Sequence, residues 1–247
     1  MAPADASPPE ESRRQAFVDT ENRRHRSIIA DAVKQMVLII ISRGLPNAYT
    51  ILTKSDDKVV HFVAAACPTR GEACHVVSSS SLLIFAIYVL IGTRFLLTSW
   101  LYLSTTYRDD NPKKLRILPD AIGIFLTGVF IGVQSSYASE QWMTDFFLLF
   151  CLVLLIDVVF SVASVGMNWQ AVKGEGLPQE LCWVGNNFVF GIAAFITLVR
   201  SAPVRPDSSS AYALMLFAFL NCAISFGISW FGYFRAQRAA PKRWTMP

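Results

Sequence analysis

The segment from Leu82 to Thr106, LLIFAIYVLIGTRFLLTSWLYLSTT, is almost unbroken in its apolar character and carries a single charged residue, Arg94, near its middle. A helix of this length, rising ~1.5 Å per residue, crosses the ~30 Å hydrocarbon layer of a bilayer with residues to spare and leaves Arg94 near the midplane. A charge at that depth costs at least ~2.5–3.5 kcal/mol, so it has to face protein or water and not lipid. The rest of the chain must therefore supply Arg94 with a partner. These constraints predict a polytopic membrane protein with a polar centre.

Composition agrees. Of the 247 residues, 53% are hydrophobic and 16% charged, against about 25% charged in soluble domains. Further apolar windows follow at about Ile117 to Tyr137, Phe146 to Met167, Trp183 to Val199 and Ala211 to Phe234. They leave little chain for a soluble domain of ordinary size. The expected fold is an all-α polytopic bundle over residues 81–234, with five strong transmembrane helices. The net charge of +4 suits contact with anionic lipid headgroups and gives no sign of nucleic-acid binding.

Upstream of the bundle the pattern changes twice. Residues 1–26 read as a disordered basic tail, polar and proline-rich at first and then arginine-rich. Residues 27–43 read as a helix, since Asp31, Lys34 and Gln35 fall on one face of an otherwise apolar stretch. That helix is either amphipathic and interfacial or a short sixth crossing. Residues 44–80 read as a loop with a small β-hairpin, because AYTIL and VVHFV are β-branched and aromatic runs separated by polar TKSDDK. Cys67 and Cys74 lie in the same segment and are candidates for a disulfide, with free thiols or a zinc site as alternatives. Residues 235–247 form a basic C-terminal tail.

The polar residues inside the windows mark the candidate site. Arg94, Asp157 and Asn221 each stand at the centre of a long apolar run. Bringing them together lowers the cost of burying each one. Ser161, Ser164 and Asn168 continue from Asp157 along one face, as Ser225 and Ser229 do from Asn221. Gly128 and Gly132 form a small-xxx-small spacing that lets another helix approach closely. Asp120, beside Pro119, reads as a helix cap. Asn186 and Asn187 fall in the first turns of the fourth window and make it the weakest of the five.

Motifs for catalysis are missing. The chain has no Walker A loop, HExxH, GxSxG, CxxC or helix-opening GxGxxG. The common phosphate, zinc-protease, hydrolase, thiol-redox and dinucleotide sites therefore have no anchor here, and neither an enzymatic activity nor a cofactor is expected.

Lysine and arginine placement suggests the orientation. Arg108, Lys113, Lys114, Arg116, Lys173, Arg235, Arg238, Lys242 and Arg243 fall on one side, and Arg70, Arg200 and Arg205 on the other. The C-terminus is therefore expected in the cytoplasm, with the protein in a plasma or inner membrane. A sixth crossing at Ile28 to Ile41 would bring the arginine-rich N-terminus to the same side. Two functions fit. One is a transport- or channel-type bundle in which the polar centre lines a route. The other is a non-conducting anchor or assembly subunit in which the polar centre only fixes helix register. Expected partners are the lipid bilayer and either further copies of the chain or another membrane subunit.

Overall fold

The computed structural model describes residues 10–53, 59–61, 74–76, 79–107, 117–170 and 177–239. Its helices are α1 (Glu10–Thr53), α2 (Ser79–Thr106), α3 (Leu118–Gln134), α4 (Met143–Met167), α5 (Leu177–Ser201) and α6 (Ser209–Ala239). Five of them, α2 to α6, are long and apolar enough to cross a membrane.

The helices pack as a closed ring in the order α1, α2, α6, α5, α4, α3 and back to α1. Consecutive α2 and α3 touch only lightly, and α1 lies between them. Contacts along α1 run antiparallel to α2. Lys34 Nζ donates to Ser104 Oγ at 3.2 Å, Ile41 packs on Gly92, Gly44 on Tyr88, and the Tyr49 ring lies 6.5 Å from that of Phe85. Residues 34–49 of α1 thus follow most of the length of α2. The buried edge of α1 is Ala30, Val33, Val37, Ile41, Ala48 and Leu52, a three-and-four spacing that keeps small and β-branched side chains on one stripe.

Several expectations for residues before the bundle change. Residues 10–26 are helical and form the first part of α1; their Glu, Gln, Arg and Ala content favours helix, and Gln15 Nε2 donates to Asp19 Oδ1 one turn on at 3.4 Å. The hairpin does not form. AYTIL lies in the last turns of α1, where packing of Ala48 and Leu52 against the bundle overrides β propensity. Val59–His61 instead pairs in parallel with Cys74–Val76. Cys67 and the proposed bridge to Cys74 fall outside the described residues. Asp120 sits in the first turn of α3, but Ile117 is the N-cap and no side chain caps the helix.

The interior is divided. In the half nearer the start of α2, Ile84, Tyr88, Ile91, Ile131, Leu154 and Leu214 are fully buried. Phe146, Phe147 and Phe150 join them edge to face, with ring centroids 5.2 and 6.4 Å apart. In the half nearer the end of α2, most of the buried polar side chains collect, including Thr98, Ser99, Asp120, Ser164, Asn186, Asn187, Asn221 and Ser225. The outer surface is a belt of exposed apolar residues such as Leu155, Val159, Phe188, Phe195 and Phe219. Such a belt is costly in water and suited to lipid. The chain has the architecture of a multi-pass membrane protein.

Candidate functional site

At mid-length of the bundle, α2, α4, α5 and α6 each contribute one polar side chain to a shared junction. Arg94 Nη2 donates to Asn187 Oδ1 at 3.0 Å, and Asn221 Nδ2 donates to the same oxygen, also at 3.0 Å. Asn187 Nδ2 donates in turn to Asp157 Oδ2. Arg94 Nη2 and Asp157 Oδ2 are 3.8 Å apart. The arginine is 3% exposed, so its charge is balanced within the protein and not by solvent. Asn187 is the hub: its oxygen receives two donors and its amide reaches the carboxylate.

Beside the hub, α5 and α6 are stitched by a second polar contact. Asn186 Nδ2 donates to Ser225 Oγ at 2.9 Å and to the Asn221 carbonyl at 3.1 Å. Ser229 Oγ donates to the Ser225 carbonyl at 2.9 Å. The four-residue repeat of Asn221, Ser225 and Ser229 therefore presents one face of α6 to α5. Cys151 and Cys222 are buried free thiols within α4 and α6.

A narrow cleft leads from this junction through the half of the bundle nearer the end of α2. Arg94, Asp157, Thr98, Ser99 and Ser161 line its inner part; Tyr102, Asp120, Glu180 and Trp183 line its outer part. The Tyr102 and Trp183 rings stack with centroids 6.3 Å apart. Asp120 Oδ2 accepts from Tyr102 Oη at 2.7 Å and from Tyr107 Oη. Burial, then the neighbouring Asp120 carboxylate, pushes the Tyr107 phenol well above its ordinary range. Tyr107 is thus held as a donor, and two phenols fix the position of one carboxylate at the cleft wall.

Gly128 and Gly132 do not line the cleft. They receive α1: a Cβ at Gly132 would lie 2.7 Å from Ile40 Cγ2, and one at Gly128 would lie 3.3 Å from Val37 Cγ2. The glycine face of α3 is covered within the chain. Asn187 was the residue that sequence reasoning did not single out. A second signal for it was present, since Asn186 and Asn187 would be as costly in a lipid-facing span as Asn221.

No known protein family, curated protein or solved structure matches this chain.

Proposed function

We propose that this protein moves a small polar solute across its membrane, with the Arg94, Asn187, Asp157 and Asn221 junction as the inner end of the solute's path. The observation that carries this reading is the uneven interior: a cleft lined by Thr98, Ser99, Ser161, Tyr102, Asp120 and Glu180 runs to Arg94 and Asp157 through the half nearer the end of α2, while the opposite half is packed mainly with aromatic and aliphatic side chains and the groove that reaches Asn187 there, between α4 and α5, is apolar. A polar route on one side only is what a carrier needs in one of its two access states. The positive-inside rule assigns the basic end, with the C-terminus, to the cytoplasm of a cell's plasma or inner membrane. On this reading α1 is a sixth crossing, because it closes the ring between α2 and α3 and because it brings the N-terminal arginines to the same basic end. Lys34 tolerates its position by pairing with Asp31 at 2.6 Å and lying 5.2 Å from the centre of the Trp100 ring.

The alternative function is a non-conducting anchor or assembly subunit. It draws on the same junction, since a fully bonded Asn187 would serve equally well to lock four helices. Reconstituted protein separates the two. The transport reading expects Arg94→Gln to change solute flux in liposomes while the amount of folded protein is kept; the anchor reading expects the substitution to lower abundance and no flux to be present in the unaltered protein. Labelling of single cysteines placed at Ser7 and at Ser55, which flank α1 in the sequence, from opposite sides of the membrane supports six crossings; labelling of both from one side rules them out.

A further inference from the structure

Arg94 divides its hydrogen bonding between two edges. Nη2 serves the bundle through Asn187 and Asp157. Nε has no protein acceptor among the described residues, although the side chain is 97% buried by its 3% exposure. Trp183 Nε1 is likewise buried without an acceptor. The guanidinium carbon of Arg94 lies 6.0 Å from the Trp183 ring centroid, and both residues line the cleft. A buried donor left unmet costs about 1–3 kcal/mol, so two of them on one wall form a seat for an acceptor group. Asn187 cannot fill it, because its oxygen already accepts from Arg94 and Asn221.

Charge narrows the class of occupant. Asp120, Asp157 and Glu180 line the cleft with the guanidinium of Arg94, and Arg26 adds a second positive charge that acts on Tyr107 beside Asp120. A solute with net negative charge would meet an excess of carboxylates, and a simple cation would leave both donors unmet. Among the described residues no group of three or more His, Cys, Asp or Glu could hold a metal ion. On α5, Glu180 precedes Trp183 by three residues, which at ~1.5 Å per residue places it roughly 4.5 Å nearer the mouth along the helix axis. The two charges of an amino acid fit within such a span.

Resting on the reading of the cleft as a solute site, we infer that it takes a small zwitterion, with the carboxylate held between Arg94 Nε and Trp183 Nε1 and the ammonium toward Asp120 and Glu180. The stacked Tyr102 and Trp183 rings would flank the ammonium, as aromatic faces do for organic cations.

The test uses full-length protein in nanodiscs, titrated calorimetrically with glycine and 4-aminobutyrate, and with butyrate and butylamine as single-charge controls. The expected result is that an amino carboxylate binds roughly tenfold or more tightly than either control, and that Trp183→Phe, which keeps the ring and removes the N–H, weakens it by about tenfold, the size of one hydrogen bond to a charged group. Equal binding of butyrate, binding of butylamine alone, binding of none of the four, or a folded Trp183→Phe protein with unchanged affinity overturns the assignment. If Trp183→Phe does not fold, the ranking of the four probes on the unaltered protein decides. Failure of the two readings can be told apart: an amino carboxylate that binds but is not moved into liposomes removes transport and leaves the seat, whereas flux of an anion or amine alone removes the zwitterion and leaves transport.

Discussion

Arg94 and Asp157 face each other with Nη2 and Oδ2 3.8 Å apart, close enough to attract as charges but too far for a hydrogen bond. The side chain of Asn187 closes the gap by accepting from one and donating to the other. The charge pair at the centre of the bundle is thus bridged by an amide, and α5 becomes as necessary to it as α2 and α4.

Asn187→Leu keeps approximate volume and removes both ends of the bridge. It leaves Asp157 without its amide donor and Arg94 and Asn221 without their shared acceptor. The expected loss is about 2–5 kcal/mol, the range for leaving buried polar and charged groups unmet. Thermal unfolding in detergent, followed by the fraction of protein that stays monodisperse, measures it.

Arg94 and Asp157 should behave as a coupled pair. Arg94→Leu and Asp157→Leu each strand an opposite charge, at a cost of about 3–5 kcal/mol, while replacing both can be nearly neutral. The amount of folded protein should fall in each single variant and recover in the double. A double variant as poor as the two singles added together would show that the pair contributes no coupling.

Packing of α1 depends on Gly132. Gly132→Val forces a side chain into the space of Ile40 and should cost about 1–3 kcal/mol through overpacking. Ile40→Ala in the same chain should restore part of the loss. Unfolding midpoints of the two single variants and the double measure this directly. No recovery would mean that α1 does not rest on this face.

The five apolar helices could be read from the sequence because each is a continuous apolar run, and Arg94, Asp157 and Asn221 stood out because each interrupts one. Asn187 did not, since two adjacent asparagines near the start of the shortest run resemble the end of a span and not its centre. The role of α1 was hidden for a different reason. Asp31, Lys34, Gln35, Arg43 and Pro46 break its apolar window, and the tertiary contacts that accommodate Lys34, from Ser104 and Trp100, lie about seventy residues away in the chain. AYTIL was misread because β-branched residues favour strands locally, whereas here Ala48 and Leu52 are buried in the bundle and the Tyr49 ring meets Phe85 of α2. The parallel pairing of Val59–His61 with Cys74–Val76 leaves no local signal of turn type.

Tyr107 gives a prediction for pH. Its phenol is shifted upward by burial and by Asp120, so the folded state favours the protonated form relative to an unfolded value of about 10. Its contribution to stability is fully present below that unfolded value and is lost as pH rises through the higher folded one. The difference in melting temperature between the unaltered protein and Tyr107→Phe should therefore stay constant from about pH 6 to pH 9. A difference that changed across this range would contradict the protonated, hydrogen-bonded assignment.

The central claim is that the junction is reached from the basic end of the bundle, and sided chemical access tests it most directly. Ser161 lines the cleft beside Asp157 and Arg94. Ser161→Cys, placed in a chain whose 5 native cysteines are changed to serine, is exposed to a membrane-impermeant thiol reagent in right-side-out and inside-out vesicles. The account predicts modification in inside-out vesicles, where the basic end faces the reagent, and protection in right-side-out ones. Modification only from the opposite face, or from neither face in folded protein, would contradict it.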